Sequence, residues 1–407
     1  MFCRNCKTEL KLNLIDLGDA PLSNGYLSKD QLCVKEPTYP LHVKVCENCY
    51  LVQTMDYVTS KDVFTSKYHY FSRTSTTWVK HALEFAARIT KELELDSSSL
   101  VIEIASNDGY LLQHFNNLNI PNFGIEPTKS TADSAREFGV ETLEEFFSEE
   151  LSITLTSQGR CADLLIGNNV YAHVPDINDF TRGMRKILKP EGVIVLEFPH
   201  LLNMIKETLF DTIYHEHFSY LALGTVKSIF RAAGLRIWDV EKIKTHGGSL
   251  RIYGCRVESN RIETLRVEDL IKEEIEAGLF STKAYENFES ESHKIKNQLR
   301  EFLFAKRENG KIVIAYGAAA KGNTLLNFAG IESDLISYVV DASTAKQGLY
   351  LPGSHIPIYA PEKMLEGGFE SILILPWNLS AEICSFIKQD LKITAEIFSA
   401  IPKIRFY

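Results

Sequence analysis

Four short apolar runs separated by helical stretches constrain this chain more than any other feature. They are SLVIEIA at 99–105, NFGIEP at 122–127, ADLLIGNN at 162–169 and GVIVLEFP at 192–199. Each is too short for a helix and too uniformly apolar for a strand with one wet face. Between them, YLLQHFNNL, TADSAREFG and DFTRGMRKILKP repeat apolar residues at helical spacing. Strands alternating with helices specify a doubly wound parallel sheet covered on both faces, and such α/β sheets bind ligands at the carboxyl ends of their strands. At 407 residues the chain exceeds one ordinary core. Changes of pattern divide it into 1–75, 76–259 and 260–407.

Composition narrows the function. The 45% hydrophobic and 24% charged residues are those of a globular protein, and a net charge of -9 leaves no basic excess for a nucleic-acid polymer. There is no run of about eighteen apolar residues, and MFCRNCKTEL carries no apolar signal core, so no membrane partner, a cytoplasmic location and a monomer are expected.

Four of the eight cysteines fall in two C-x2-C pairs, Cys3 with Cys6 and Cys46 with Cys49. Each pair bends round one ion in a tight turn, and four thiolates complete a closed tetrahedral zinc site, whose role is to hold residues 1–75 folded. Two redox or incidental pairs are the alternative. Cys33, Cys161, Cys255 and Cys384 are scattered and expected to be buried.

The first strand-to-helix turn reads Glu103-x-Ala105-x-x-x-Gly109, a small residue where the chain turns and a glycine where a cofactor comes close. Glu126 ends the next strand, where a carboxylate can accept from both hydroxyls of a ribose. The turn has too few glycines for a dinucleotide fingerprint. It resembles the S-adenosylmethionine site of class I methyltransferases, with contacts expected from Glu103, Ala105, Asn107, Gly109, Glu126 and Asn168. Taken alone, it also fits ordinary strand-turn-helix packing.

After the fourth strand come the helical LGTVKSIFRAAG and the strand-like LRIWDVEKI and SLRIYGCRV. Class I methyltransferases close their sheet with such a pair, the last strand antiparallel. The intervening turn, Thr245 to Arg251, offers exposed N–H groups, hydroxyls and a guanidinium to a phosphate, or is a plain hairpin with a solvated arginine. Beyond residue 260, charged helices lead to roughly 308. KIVIAYGAAAKGNTLLNFAG, ISYVVDAS and SILILPW then build a second, smaller Rossmann-like unit. GAAAKGNT is too short for a phosphate-binding Walker loop; Lys321 meets a phosphate or makes a local contact.

The stretch YHEHFSY, Tyr214 to Tyr220, suggests a metal at first sight. His215 and His217 stand at i, i+2, which on a helix places them about 200° apart, whereas helical metal pairs use i, i+4. In an extended segment they would share one face, with Glu216 on the other, so spacing leaves an acid/base site, an ion-binding cluster and a polar stripe to be separated by the surroundings.

In order, the two cysteine pairs, EIASNDGYLL, GNNVYAHVPD, YHEHFSY, HGGSLR and GAAAKGNTLLN resemble the nucleotide-sugar 3-C-methyltransferases of deoxysugar biosynthesis, over nearly the whole chain. Ala105 stands where class I enzymes in general place their first glycine. The resemblance implies S-adenosylmethionine, structural zinc and a nucleotide-linked 4-keto-6-deoxy sugar methylated at carbon 3. It implies His217 as base, Tyr214 as its partner or alternative, Glu216 orienting the histidine, and His173 with Asn169 facing the sugar. Tyr68 and Tyr70 would close over the substrate, and His246, Ser249 and Arg251 would contact it. The rival functions are O- or N-methyl transfer to a sugar or small metabolite, and a non-catalytic zinc-module binding protein.

Overall fold

The computed structural model describes residues 1–57, 59 and 71–407. An antiparallel N-terminal sheet has the order β1 (Leu12–Ala20), β2 (Tyr39–Val45), β3 (Val52–Thr54) and β9 (Ser219–Tyr220). Its last strand belongs to YHEHFSY, with Val52 opposite Tyr220 and Gln53 opposite Ser219. The tail of that stretch therefore completes a sheet begun more than 150 residues earlier.

The central sheet has seven strands: β4 (Val101–Ile104), β5 (Asn122–Ile125), β6 (Thr142–Leu143), β7 (Ala162–Asn168), β8 (Leu188–Pro199), β10 (Leu235–Ile243) and β11 (Ser249–Arg256). Their spatial order is β10-β11-β8-β7-β4-β5-β6. β4 to β8 run parallel, and β11 is antiparallel between β8 and β10, the closing pair expected of a class I methyltransferase sheet. β6 escapes sequence reading because it is a two-residue edge strand whose only strand partner is β5.

Local chemistry sets these elements. All four residues of β4 are buried, as a central strand covered on both faces requires. The helix Ile177–Ile187 begins where Asp176 accepts the N–H groups of Asn178 and Asp179, and it buries Ile177, Phe180, Met184 and Ile187 at helical spacing.

The C-terminal unit is a six-stranded sheet of order β14-β13-β12-β15-β16-β17, formed by β12 (Val313–Tyr316), β13 (Val339–Val340), β14 (Ile358–Tyr359), β15 (Ser371–Ile374), β16 (Glu396–Ser399) and β17 (Arg405–Phe406). All pairs are parallel except β16 with β17. One continuous apolar cluster joins Leu14, Val43, Phe210, Ile213, Leu299, Leu326 and Phe398, so the N-terminal and C-terminal sheets share a core with the segment that precedes YHEHFSY. That shared core brings all three parts of the chain to the carboxyl edge of the central sheet. No helix among the described residues is long and apolar enough to cross a membrane.

Candidate active site

A cavity of about 380 Å³ opens at the carboxyl edge of β4, β5 and β7. The central sheet contributes Ala105, Asn107, Glu126, Asn168, Asn169 and His173; YHEHFSY contributes Tyr214, Glu216 and His217. Asn24 reaches in from the N-terminal module, and Lys321, Lys346 and Asn378 from the C-terminal unit.

The turn after β4 is shaped for a ligand. Ala105 and Asn107 both take positive φ, 55° and 50°. Glu126 holds the turn by accepting the Asn107 N–H at 2.9 Å on one oxygen and the Thr128 N–H at 2.9 Å on the other. Each oxygen keeps a further acceptor position, which a ribose diol can use. Burial raises the Glu126 pKa against the pull of the Thr128 and Asn107 amides.

Two residues of the expected cofactor set do not border the cavity. Gly109 has φ +72°, and a Cβ there would lie 2.9 Å from Val140 Cγ2, so this glycine serves the approach of the Val140 segment rather than that of a ligand. Glu103 is fully buried within β4, and burial, with the Asp108 charge adding to it, raises its pKa well above the ordinary carboxylate value.

His217 Nδ1 lies 2.7 Å from the Thr212 carbonyl oxygen. A carbonyl only accepts, so Nδ1 carries the proton and, in the neutral ring, Nε2 is the basic nitrogen. The Tyr214 ring packs against the imidazole at 4.0 Å between centroids, and His173 meets it edge-on at 4.7 Å. The orienting acceptor is thus a backbone group five residues away, while the Glu216 carboxylate accepts a 2.6 Å hydrogen bond from Asn24 Nδ2. His215 points elsewhere, with Nε2 3.2 Å from the Tyr39 carbonyl oxygen, and burial lowers its pKa. The two histidines do not converge, and among the described residues the only cluster able to hold a metal ion is Cys3, Cys6, Cys46 and Cys49.

Those four sulfurs lie within 4.8 Å of one another, with Cys6 and Cys46 3.4 Å apart and Cys3 and Cys49 3.6 Å apart. A tetrahedral ion with zinc–sulfur bonds of about 2.3 Å needs sulfur–sulfur edges of roughly 3.8 Å. The donor set fits zinc.

Of the residues expected to meet a substrate in the turn from Thr245 to Arg251, Ser249 and Arg251 do not border the cavity. Ser249 Oγ donates to the Thr245 carbonyl at 3.0 Å, closing the turn on itself. Arg251 is buried, donates to Glu197 at 2.6 Å and to Glu241 at 3.2 Å, and stacks over Phe85 at 4.6 Å. It is neither solvated nor available to a phosphate. Burial alone would raise the Glu197 pKa, but His81 and Arg251 hold it below the ordinary value. Tyr68, Tyr70 and the side chain of His246 lie outside the described residues.

Lys321 donates to Asn378 Oδ1 at 3.0 Å and lies over Trp377. Burial lowers its pKa, opposed by Asp211. It stands in the first turn of the helix Ala320–Ala329, whose N-terminus has no side-chain cap. Asn24 and Lys346 had no signal in the sequence beyond the Asn-Gly turn and an isolated basic residue.

Three family models match the chain in tandem: "Putative zinc binding domain" over residues 3–64, "Methyltransferase domain" over 77–240 and "C-methyltransferase C-terminal domain" over 244–402. The C-methyltransferase NovU of Streptomyces niveus is 31% identical over 403 residues, which span 99% of this chain and 96% of that protein. Among solved structures, the PH0226 protein of Pyrococcus horikoshii OT3 covers 46% of this chain and 94% of its own, with 13% identity and a TM-score of 0.37. The CcbJ methyltransferase of Streptomyces caelestis covers 43% and 89%, with 13% identity and a TM-score of 0.36.

Proposed function

Because the chain belongs to the S-adenosylmethionine-dependent C-methyltransferases that carry an N-terminal zinc-binding domain, we propose that it methylates carbon 3 of a 4-keto-6-deoxy sugar linked to a nucleoside diphosphate. Membership in an enzyme family sets aside the non-catalytic alternative. Transfer to carbon rather than to oxygen or nitrogen agrees with the family.

Bound S-adenosylmethionine supplies the methyl group from its sulfonium, which becomes a neutral thioether. Glu126 would hold its ribose, with Ala105, Asn107 and Asn168 lining the same part of the cavity. The four cysteines would hold zinc as thiolates, in a closed site that contributes folding energy and no open coordination position.

The observation that carries the reaction is the 2.7 Å bond from His217 Nδ1 to the Thr212 carbonyl. It assigns the basic lone pair to Nε2 of a ring that lines the cavity. A proton alpha to a ketone is weakly acidic, so a carbon nucleophile needs a placed base and donors for the enolate oxygen. His217 Nε2 takes the proton from carbon 3; the C–H pair becomes the enolate, its negative charge on the carbon-4 oxygen. Tyr214, Asn169 and His173 line the cavity around it as donors to that oxygen. Carbon 3 then forms its bond to the methyl carbon as the carbonyl is restored. Holding both partners in line supplies much of the acceleration.

The diphosphate is read to Lys321, Lys346 and the uncapped helix N-terminus at Ala320, a cationic wall provided by the C-terminal unit. Incubation with thymidine diphosphate 4-keto-6-deoxyglucose in deuterium oxide tests the whole proposal. Deuterium should enter at carbon 3 in the wild type and not in His217→Ala; a wild type that leaves carbon 3 unexchanged refutes the enolate route.

A further inference from the structure

Arg4 sits between two of the cysteines, in the sequence Cys3-Arg4-Asn5-Cys6. A charged residue in a zinc-binding turn usually faces water, yet the Arg4 side chain is only 4% exposed. One Nη donates to the Pro175 carbonyl at 3.0 Å; the other donates to the Thr54 carbonyl at 2.8 Å and to Asp56 at 2.9 Å. The guanidinium lies 5.3 Å from the Phe218 ring. Pro175 is two residues beyond His173, and Phe218 directly follows His217. Thr54 closes the connection, since its hydroxyl donates to the His217 carbonyl at 2.9 Å while its N–H donates to that of Phe218. The neighbouring Asn5 carbonyl accepts from Asn178 Nδ2 at 2.8 Å, a second grip at the start of the helix Ile177–Ile187 that follows the His173 loop.

The turn is also tied back to the sulfur cluster. The Arg4 N–H donates to Gln53 Oε1 at 2.9 Å, and Gln53 Nε2 donates to Cys3 Sγ at 3.2 Å. A planar guanidinium bonded at fixed angles to the carbonyls of Pro175 and of Thr54, the last residue of β3, sets the distance between the loop after His173 and the strand end that holds His217 through the Thr54 hydroxyl, which an ammonium on a flexible stem does not do.

We propose that Arg4 is a positioning residue for the reaction: the zinc-binding turn uses its guanidinium to set the separation of the loops bearing His173 and His217. Zinc is thereby coupled to turnover through Arg4, beyond its part in folding. The proposal rests on His173 and His217 acting in the reaction described above. The Glu126 end of the cofactor site makes no contact with Arg4, so cofactor affinity is independent of it.

The test uses the full-length, zinc-loaded chain with Arg4→Lys, which keeps charge and stem but cannot span both carbonyls. With zinc content equal to wild type, kcat on thymidine diphosphate 4-keto-6-deoxyglucose should fall about tenfold to a hundredfold, the scale expected of a misplacement near 1 Å, while S-adenosylmethionine affinity stays within about twofold. Millimolar guanidinium should restore part of the kcat lost in Arg4→Ala, which a general loss of folding would not permit. Wild-type kcat in Arg4→Lys, or equal losses of cofactor affinity and kcat, overturns the proposal. If neither Arg4 variant folds, Thr54→Val decides, because it deletes only the hydroxyl bonded to the His217 carbonyl; normal zinc with reduced kcat supports the coupling, and unchanged kcat overturns it. A wild type inactive on this sugar nucleotide removes the substrate assignment instead. The imidazole NMR signals of His173 and His217 then decide the role of Arg4: shifted in Arg4→Lys if it positions the loops, unmoved if it does not.

Discussion

Asn24 of the N-terminal module donates a 2.6 Å hydrogen bond to Glu216 of YHEHFSY. The same loop donates from Tyr26 to the Ala318 carbonyl at 2.6 Å and accepts from Asn323 at the Ser23 carbonyl. One short loop thus ties YHEHFSY to the C-terminal unit, and the cavity is lined by residues from all three parts of the chain. Asn24→Asp places two carboxylates in contact. They share a proton at low pH and repel when both ionise, so the variant's melting temperature should fall, relative to wild type, between about pH 5 and about pH 8.

His217→Gln keeps a donor for the Thr212 carbonyl and removes the base. Turnover should drop by about 10² to 10⁴-fold, while titration with S-adenosylmethionine gives a wild-type dissociation constant. A rate near wild type would transfer the proton to Tyr214 or His173.

Lys321→Met removes the buried cation from the C-terminal wall. KM for the sugar nucleotide should rise about tenfold to a hundredfold with a smaller change in kcat. Because burial lowers the Lys321 pKa from the ordinary 10.5, the wild-type enzyme should lose nucleotide affinity at a lower pH than an exposed lysine would dictate. Lys321→Met should lack that alkaline limb in a KM–pH profile.

Arg251→Gln separates a structural role from a substrate role. The variant leaves Glu197 buried beside a weaker partner, at a cost of about 3–5 kcal/mol by analogy with broken buried pairs. Thermal unfolding should show the loss, and KM for the sugar nucleotide in the folded fraction should stay near wild type.

Glu103→Gln should stabilise the protein at neutral and alkaline pH. The folded-state pKa of Glu103 is raised by burial. Its contribution to stability is therefore full below the unfolded value and lost as pH rises through the folded one. Melting curves of variant and wild type should converge in acid and separate in favour of the variant as pH increases.

Much of the frame is readable along the chain because it is encoded locally. The apolar runs at 99–105, 122–127, 162–169 and 192–199 contain β4, β5, β7 and all but the first residues of β8. The two cysteine pairs announce a cluster that folding brings within 4.8 Å. Glu126 is recognisable by its place at a strand end. Gly109 shows the limit of such reasoning: a glycine in a cofactor turn and a glycine under Val140 have the same local sequence, and only the packed structure separates them.

By itself, then, the sequence determined the alternation of strands and helices, the four cysteines that form the sulfur cluster and the chemical types gathered near YHEHFSY, since periodicity, spacing and side-chain identity are properties of neighbours. Tertiary structure decided which nitrogen of His217 is basic, that Asn24 and Lys346 reach the cavity, and that Arg251 spends its charge on Glu197. Those outcomes rest on single hydrogen bonds and ion pairs whose geometry exists only once distant segments share a core, and no spacing along the chain encodes them.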